Sequence, residues 1–257
     1  MRVLIVGKGL IGNYLYNQIK GAELISSAEA LSYIKYNNYD WVVNCTFDEE
    51  INNSKFKPNL SFDSKIIKNL KSTTCYLMLS SRKVYPKQYQ WNAKEDQHIE
   101  LNHIQNNYGK NKYLLENFSI DYLGSDRCLI LRLPNIFGYN PSKSHTQTFF
   151  NEMYKNLKAK RTINFNFNKQ TKRDFMYAKD LAFVIDTLIE KNITGIYNCG
   201  YGKPVTCLYL AEYLINKVGY GSIFDEAEYI DEFYLNTAKI NKIFQFKNFI
   251  GIKKGIN

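Results

Sequence analysis

Short apolar runs alternate with amphipathic stretches along most of this chain. The run at residues 2–6 is bounded by glycine, which is typical of a strand buried on both faces of a parallel sheet. Similar runs lie at residues 23–25, 41–45, 75–79 and 128–133. Because a helical stretch separates each run from the next, the pattern predicts an α/β fold with a doubly wound parallel sheet. The ligands of such sheets bind at the carboxyl ends of the strands.

The helical stretches combine an apolar face with a polar face, as surface helices do. Three of them cover residues 13–20, 28–36 and 61–70, and a fourth helix opens at Tyr108 after a polar loop at residues 86–107. The regularity loosens after Gly138. For that part we expect a loop at residues 141–144, helices at 148–157, 180–190 and 206–218, and strands at 163–167 and 195–199.

This change of pattern suggests how the chain is divided. We expect residues 1–138, together with about 172–200, to form the sheet domain. Residues 139–171 and 201–257 are expected to form a small substrate-binding lobe. The sequence has neither an internal repeat nor a low-complexity linker, so the chain is expected to enter and leave this lobe more than once.

The turn after the first strand is rich in glycine. Gly7-Lys8-Gly9-Leu10-Ile11-Gly12 lies between a strand and a helix, the context that the dinucleotide fingerprint G-x-G-x-x-G requires. The first glycine makes the tight turn, the second lets the backbone approach a pyrophosphate, and the third lets helix and strand pack closely. The anion then lies at the N-terminus of the helix. The sequence therefore predicts a dinucleotide site here.

Composition narrows the class of protein. The chain has 257 residues, 45% of them hydrophobic, and no apolar run approaches the ~18 residues of a membrane span. Its first residues enter a strand directly, without the pattern of a cleavable signal. The five cysteines (45, 75, 128, 199 and 207) are odd in number and lack metal-ligand spacing, so we expect reduced core residues, no metal site and a cytoplasmic location.

The net charge of +10 raises the question of nucleic acid. The lysines are spread along the whole chain, without a basic block or a known binding motif, so no specific nucleic-acid partner is expected. A solvated lysine-rich surface is the simplest interpretation. The alternative, functional interpretation of the charge is a local positive site for a phosphorylated small molecule.

Tyr108 and Lys112 are four residues apart and therefore lie on one face of the predicted helix. An ammonium at that spacing can lower the pKa of the phenol, so that the tyrosine gives or takes a proton near neutral pH. The spacing alone is weak evidence because it recurs at Tyr154 and Lys158. What distinguishes Tyr108 is the glycine turn and Ser80-Ser81, which follow strands upstream of it.

Taken together, these motifs resemble the extended short-chain dehydrogenase/reductases of the nucleotide-sugar epimerase, dehydratase and reductase group. The resemblance covers nearly the whole chain and depends on an ordered set of segments. Besides the glycine turn, they are Ser80-Ser81-Arg82-Lys83-Val84-Tyr85-Pro86, Tyr108-Gly109-Lys110-Asn111-Lys112, Arg132-Leu133-Pro134-Asn135-Ile136-Phe137-Gly138, residues 172–177 with Asp180, and Tyr197-Asn198-Cys199-Gly200.

The resemblance implies a Rossmann-like fold and a role for each matching residue. Tyr108 would be the catalytic acid or base, Lys112 its partner and a ribose ligand, and Ser81 a hydroxyl donor to the substrate oxygen. The substrate would meet Ser81, Arg82, Asn135 and Arg173, the last two at its diphosphate. The cofactor would contact Gly7, Lys8, Gly9, Leu10, Ile11, Gly12, Ser26, Cys45, Thr46, Ser80, Tyr108, Lys112 and Pro134.

The chain also departs from the family pattern. The glycine turn is one residue shorter than usual, and the helix near Asp63 lacks an asparagine that the family often has there. Ser26 and Ser27 stand where an aspartate would hold the ribose 2′-hydroxyl. With no carboxylate expected there and Lys8 in the turn, NADP(H) is expected slightly ahead of NAD(H).

The departure at Arg82-Lys83 bears on the reaction. These residues stand where the family's 4,6-dehydratases have an Asp-Glu pair, so a dehydratase is excluded. The short chain and the Ser-Ser-x-x-Val-Tyr-Pro-Lys run favour reduction of a nucleotide-linked 4-keto-6-deoxy sugar. An NAD-dependent epimerase with a transient 4-keto sugar is the alternative, and a non-catalytic NAD(P)-binding regulator stays open. The oligomeric state stays open too, with a homodimer as one expectation.

Overall fold

The computed structural model describes residues 1–36, 38–138 and 148–243 of the chain. The predicted loop at residues 141–144 lies outside these ranges. In chain order the strands and helices are β1 Val3–Val6, α1 Leu10–Gln18, β2 Glu23–Ile25, α2 Ser27–Tyr36, β3 Trp41–Asn44, α3 Phe62–Lys68, β4 Cys75–Ser81, β5 Trp91–Ala93, α4 Asn107–Leu123, β6 Cys128–Leu133, β7 Asn135–Phe137, α5 Phe149–Lys160, β8 Thr162–Phe165, β9 Lys172–Arg173, β10 Phe175–Tyr177, α6 Ala178–Glu190, β11 Gly195–Asn198, β12 Val205–Thr206, α7 Cys207–Val218, β13 Ser222–Asp225, β14 Tyr234–Leu235 and α8 Ala238–Asn241.

Six of these strands form one parallel sheet in the order β11-β6-β4-β3-β1-β2. The chain moves to one side of β1 for β2 and to the other side for β3. That reversal leaves a crevice at the carboxyl ends of β1 and β3, where doubly wound sheets bind their ligands. The doubly wound parallel sheet predicted from the sequence is therefore confirmed.

The sheet is buried on both faces because its strands are apolar throughout. Val3 and Ile5 of β1 pack into one core, which α1 and α6 cover, while Leu4 and Val6 pack into a second core under α2, α3 and α4. All four side chains are at most 2% exposed. Full burial of such a side chain stabilises the fold by about 1.5–3 kcal/mol.

A separate apolar core lies between α5, α7 and the β8–β13 pair. It is rich in aromatic residues, among them Phe150, Phe165 and Phe175. A smaller cluster brings Tyr85 together with Leu235 of β14. These clusters lie beside the sheet and border the carboxyl ends of its strands through the segments that follow β4 and β6. No helix in the described ranges is long and apolar enough to cross a membrane.

Two sequence predictions need correction. The region expected to be a polar loop at residues 86–107 contains β5, which pairs in parallel with β14 from the far end of the chain. A three-residue strand with a distant partner leaves no local periodicity to detect. The first helix starts at Leu10 rather than at residue 13, because Gly9 of the glycine turn already serves as its N-cap.

Candidate active site

The glycine turn forms one wall of the crevice and is tightly packed. Gly7 has a φ of +108°, and a Cβ there would lie 3.0 Å from backbone atoms of Cys45 and Thr46. A Cβ on Gly12 would lie 1.9 Å from the carbonyl oxygen of Gly7. At Gly9, by contrast, a Cβ would meet no atom within 4 Å. The backbone of the middle glycine therefore faces open space, as a site for a pyrophosphate requires.

A carboxylate lies at the end of β2, although the sequence analysis expected none. Glu29 Oε2 accepts hydrogen bonds from the backbone nitrogen of Ser26 at 3.1 Å and from Ser26 Oγ at 2.5 Å. These bonds lower the pKa of Glu29, and the charge of Lys8 acts in the same direction. The signal was present as Ser-x-x-Glu, the capping-box spacing at the start of a helix.

The end of β3 opens into a cavity of about 640 Å³. Thr46 and Phe47 line it, and the hydroxyl of Thr46 donates to Asn44 Oδ1 at 2.7 Å. Asn44 in turn donates to Asp63 at 2.9 Å, so Asp63 is a buried residue that stabilises this wall of the cavity. Burial raises the pKa of the Cys45 thiol, which therefore stays protonated. The aromatic lining, including Phe47, was not anticipated.

Ser81 and Tyr108 are brought together by a close contact between helix α4 and the turn that follows β4. A Cβ on Gly109 would lie 2.1 Å from the carbonyl oxygen of Lys83, so only glycine lets the helix approach this far. The side chain of Asn106 caps the helix by accepting from the nitrogen of Gly109 at 2.9 Å. The partly exposed side chains of Ser81 and Tyr108 consequently flank the same contact.

The two lysines near Tyr108 lie in different surroundings. Lys112 Nζ donates to the carbonyl oxygen of Leu79 at 3.0 Å, which ties α4 to the end of β4. Lys83 Nζ lies 5.9 Å from the centre of the Tyr108 ring. That ring also stacks on Phe47, with 6.4 Å between the centres and 21° between the planes. Tyr108 therefore packs on Phe47 of the cavity lining and lies near Lys83, a cation outside the Tyr-x-x-x-Lys motif.

A buried polar network connects Ser80, next to Ser81, with residues of α4, β6 and β11. Ser80 Oγ donates to Glu116, which is fully buried and receives three hydrogen bonds from Arg132, the shortest at 2.7 Å. Arg132 also donates to the hydroxyl of Tyr85 at 2.9 Å, and that hydroxyl donates to Asn198 at 2.8 Å. The Ser80 hydroxyl is therefore committed inside the protein, which leaves only its main chain for a cofactor contact.

The predicted substrate residues Arg82 and Arg173 converge on one carboxylate that the sequence analysis missed. Asp231 Oδ2 accepts from Arg82 at 3.2 Å and from Arg173 at 3.1 Å. Arg82 also donates to Gln90 at 2.5 Å and covers the ring of Phe233 at 3.6 Å. Burial alone would raise the pKa of Asp231, but the two arginines outweigh it and lower that pKa.

The remaining predicted residues fall at the end of β6 and on α5. Pro134 is buried, and the nitrogen of Asn135 donates to the carbonyl oxygen of Asp174 at 3.2 Å, while the Asn135 side chain stays partly exposed. Tyr154 and Lys158 form only a local contact on α5, with 5.7 Å between ammonium and ring, and Tyr154 is 44% exposed. Their spacing therefore reflects an ordinary helix surface.

The donor set fits a nicotinamide dinucleotide. The open backbone at Gly9 lies at the N-terminus of α1, and the partly apolar cavity begins at Thr46, whose backbone nitrogen packs against Gly7. Ser81 ends β4, the strand next to β3, and Tyr108 is on α4, where its ring stacks on Phe47 of the cavity lining. These three features match a pyrophosphate at the glycine turn, an apolar ring in the cavity and a reacting group beside Tyr108.

Comparison with known proteins identifies the family and the fold. The family model described as the NAD dependent epimerase/dehydratase family matches residues 12–200. A solved NAD-dependent NDP-hexosamine 5,6-dehydratase of tunicamycin biosynthesis has a TM-score of 0.80 at 16% identity, with 99% of this chain and 95% of that chain covered.

Two further structures show the same fold. A UDP-N-acetylglucosamine 4-epimerase from Methanobrevibacter ruminantium M1, in complex with UDP-N-acetylmuramic acid, has a TM-score of 0.79 at 17% identity, covering 99% of this chain and 96% of that one. A hypothetical dTDP-4-dehydrorhamnose reductase from Sulfolobus tokodaii has a TM-score of 0.71 at 21% identity, covering 96% of each. At these identities the similarity establishes a shared architecture.

Proposed function

The chain belongs to the NAD dependent epimerase/dehydratase family, as its motifs indicated, and from that premise we propose that it reduces a nucleotide-linked 4-keto-6-deoxy sugar. The observation that carries this proposal is the contact between Gly109 and Lys83, which packs the helix that carries Tyr108 against the turn that follows Ser81. A hydroxyl and a phenol so placed can hold and protonate one carbonyl oxygen.

A reduced nicotinamide, when bound in the crevice, would supply a hydride to the carbonyl carbon. Tyr108 donates a proton to the carbonyl oxygen, and Ser81 donates a hydrogen bond to the same atom. Lys112, held by the carbonyl of Leu79 at 3.0 Å, keeps a positive charge on the helix face that carries Tyr108. That charge favours the phenolate left after proton transfer.

Reduction is favoured over dehydration by the charges around Ser81. Dehydration of the sugar ring needs one group that delivers a proton and another that removes one. Arg82 cannot do either because its guanidinium stays protonated. Asp231 lies 3.2 Å from Arg82, but its lowered pKa keeps it ionised and paired. We therefore keep the sequence-based exclusion of a 4,6-dehydratase.

The substrate diphosphate is proposed to bind at Arg173 and Asn135. Arg173 presents its guanidinium beside the turn that follows Ser81, because both Arg82 and Arg173 contact Asp231. A guanidinium fork matches two phosphate oxygens, which a lysine does not reproduce. The similar 4-epimerase structure contains a UDP-linked sugar, in keeping with a nucleoside diphosphate in this lobe.

For the cofactor we propose NAD(H) in preference to NADP(H). The expectation of NADP(H) assumed that no carboxylate lies near the end of β2, and Glu29 removes that assumption. A carboxylate there accepts from a ribose 2′-hydroxyl and repels a 2′-phosphate. Titration of the apo protein should give a dissociation constant roughly tenfold lower for NADH than for NADPH, equivalent to ~1.4 kcal/mol.

The control for this titration is a carboxylate that lines the cavity past Thr46. Glu29→Gln should narrow the difference between the two cofactors, whereas Glu49→Gln should leave it unchanged, since Glu49 lines the cavity without contacting Ser26. Tighter binding of NADPH by the wild-type protein would show that Lys8, and not Glu29, decides the selection.

The reaction itself is tested with a panel of dTDP-, UDP- and GDP-linked 4-keto-6-deoxyhexoses. With NADH or NADPH present, the absorbance at about 340 nm should fall in proportion to the sugar added, because reduction consumes one cofactor for each turnover. Interconversion of two nucleotide sugars without net oxidation would instead identify an epimerase. No change in any sugar would leave the chain as a non-catalytic dinucleotide-binding protein.

A further inference from the structure

Asp231 contacts the same guanidinium to which the proposed function assigns the substrate diphosphate. Arg173 Nη2 donates to Asp231 Oδ2 at 3.1 Å, and Arg173 Nε donates to the main-chain oxygen of Asp231 at 3.2 Å. Arg82 Nη2 donates to the same Oδ2 at 3.2 Å. One carboxylate oxygen therefore accepts from both arginines, which is how an oxygen of a bound phosphate would pair with them.

Both arginines are also held by groups other than this carboxylate. Arg82 donates to Gln90 at 2.5 Å, and its guanidinium lies 3.6 Å from the centre of the Phe233 ring. The guanidinium of Arg173 lies 4.0 Å from the centre of the Phe167 ring. Only 8% of the Arg82 side chain and 10% of the Arg173 side chain are exposed. The two cations therefore keep their places when the carboxylate moves.

The side chain of Asp231 has more freedom than the arginines that it contacts. It is 25% exposed, whereas the main chain on either side of it is hydrogen-bonded. The nitrogen of Asn168 donates to the carbonyl oxygen of Tyr229 at 2.8 Å, and the nitrogen of Phe233 donates to that of Lys172 at 3.2 Å. A change of side-chain rotamer can therefore withdraw the carboxylate while the main chain stays in place.

The charge of Asp231 sets it against a second anion. Burial raises the pKa of Asp231, but the charges of Arg82, Arg173 and Lys83 outweigh burial and lower that pKa, so the carboxylate is ionised. A diphosphate at Arg173 brings further negative charge to the same cations. Because like charges placed side by side repel each other, the carboxylate and the diphosphate compete for one guanidinium.

We propose that Asp231 is an internal counter-ion that the diphosphate of the substrate displaces from Arg173 and Arg82. The carboxylate returns to the arginines when the product leaves, so it lowers the affinity for nucleoside diphosphates and speeds their release. No covalent bond forms or breaks in this exchange of partners. The inference rests on the proposed function only in placing a nucleoside diphosphate at Arg173.

The experiment is a calorimetric titration of wild type and variants with UDP, GDP and dTDP. Asp231→Asn removes the charge but keeps an amide oxygen that can accept from an arginine. The nucleoside diphosphate that binds should bind this variant with a Kd roughly tenfold lower than that of the wild type. Since damage to a site weakens binding, tighter binding separates the counter-ion from a merely structural residue.

Two further variants serve as controls. Glu232→Gln makes the same change of charge one residue further along, where the carboxylate accepts from the backbone nitrogen of Lys172 at 3.2 Å. It should bind nucleoside diphosphates as the wild type does. Asp231→Glu keeps the negative charge and should therefore bind them more weakly than Asp231→Asn. Melting curves show whether each variant is folded.

A structure of the wild-type protein with the bound diphosphate tests the displacement without any variant. A phosphate oxygen should lie about 3 Å from the Arg173 guanidinium, with the Asp231 carboxylate turned away from it. A complex in which Asp231 Oδ2 still accepts from both arginines would overturn the proposal. This result is decisive even when Asp231→Asn does not fold.

The titrations also separate this proposal from the proposed function. Equal or weaker binding by folded Asp231→Asn overturns the counter-ion, and so does a lack of binding by both proteins. Binding by Asp231→Asn alone supports the counter-ion. Arg173→Met should weaken binding; if it does not, the diphosphate does not bind at Arg173, which counts against the proposed function. Weaker binding by Arg173→Met with unchanged binding by Asp231→Asn overturns the counter-ion only.

Discussion

At the scale of single residues, the surroundings of each group decide what its chemistry can be. Tyr108 is only partly exposed, stacks on Phe47 and has Lys83 nearby, whereas Tyr122 of the same helix is 50% exposed. Two tyrosines on one helix are thus distinguished by position and not by type. That difference supplies a matched pair of variants.

Tyr108→Phe should slow turnover by roughly 10²–10⁴-fold, because it removes the proton donor while leaving the ring that packs on Phe47. Steady-state kinetics on whichever keto sugar is active gives the turnover, and a fluorescence titration should show an unchanged affinity for NADH. Tyr122→Phe is the control and should behave as wild type. Turnover of Tyr108→Phe close to normal would remove Tyr108 from the reaction.

Asp174 is a second residue whose environment has a measurable effect. It is fully buried, its Oδ1 has no hydrogen-bond partner among the described residues, and burial raises its pKa to about 7 even though backbone nitrogens such as that of Gly202 donate to it. The pKa is raised above its value in the unfolded chain. The stability that this group contributes is therefore fully present at low pH and is lost as pH rises through about 7.

Between about pH 5 and 8, the wild type should lose roughly 2–3 kcal/mol of unfolding free energy more than Asp174→Asn does, because the amide does not ionise. Urea unfolding at both values measures this difference. Asp225→Asn is the control: Lys169 lowers the pKa of Asp225, which is therefore ionised over the whole range. An equal loss in Asp174→Asn and wild type would mean that Asp174 is already ionised at pH 5.

At the scale of elements, the approach of α4 to the turn after β4 governs the site. Gly109 is inside the helix, where replacement by alanine normally stabilises by about 1 kcal/mol. Here the added Cβ would lie 2.1 Å from the carbonyl oxygen of Lys83, so the helix and the turn must separate. Helix propensity therefore predicts that Gly109→Ala raises stability, whereas the tertiary contact predicts that it lowers stability. A contact this short outweighs the propensity.

Gly109→Ala should lower both the melting temperature and kcat, because the separation moves Tyr108 away from Ser81. Asn117→Ala, at an exposed position of the same helix, should leave kcat unchanged and keep or raise the melting temperature. Circular dichroism and steady-state kinetics measure the two quantities. If Gly109→Ala raises the melting temperature at normal kcat, the close approach is not required.

At the scale of the whole molecule, we propose that cofactor and substrate are held by different parts of the fold. The crevice at β1, β2 and β3 belongs to the two cores of the sheet, whereas Arg173 and Asp231 adjoin the aromatic core between α5 and α7. Binding of each ligand should then stabilise a different set of backbone amides.

Hydrogen exchange followed by mass spectrometry measures this division. NADH should slow exchange in peptides that contain the glycine turn and Thr46, and UDP, GDP or dTDP should slow it near Arg82, Arg173 and Asp231. Peptides from β8 and β13, two paired strands that contain none of the proposed ligand contacts, are the internal control. If both ligands protect the same peptides, NADH and the nucleoside diphosphate bind at one shared site.

The sheet, its helices and the glycine turn were predictable from the sequence because each leaves a local pattern. Strand β6 was predicted at residues 128–133, the bounds it has in the structure, since its apolar run is uninterrupted. Asp231 was not predictable, since it meets Arg82 only through folding that joins positions 149 residues apart. Glu29 was only partly predictable. Its capping-box spacing was readable, but its place beside the cofactor crevice depends on how β1 and β2 pair.

The network from Ser80 to Asn198 has a consequence for the order in which the protein becomes competent during synthesis. Strands β1 to β4 leave the ribosome early, so the glycine turn and its neighbours can meet first. Arg132 cannot neutralise Glu116 until β6 emerges, and the hydroxyl of Tyr85 finds its acceptor only with β11. The nascent chain can thus assemble the glycine turn and the strands around it before the network behind Ser80 is complete, and stalling between β6 and β11 would leave Tyr85 without the acceptor that Asn198 supplies.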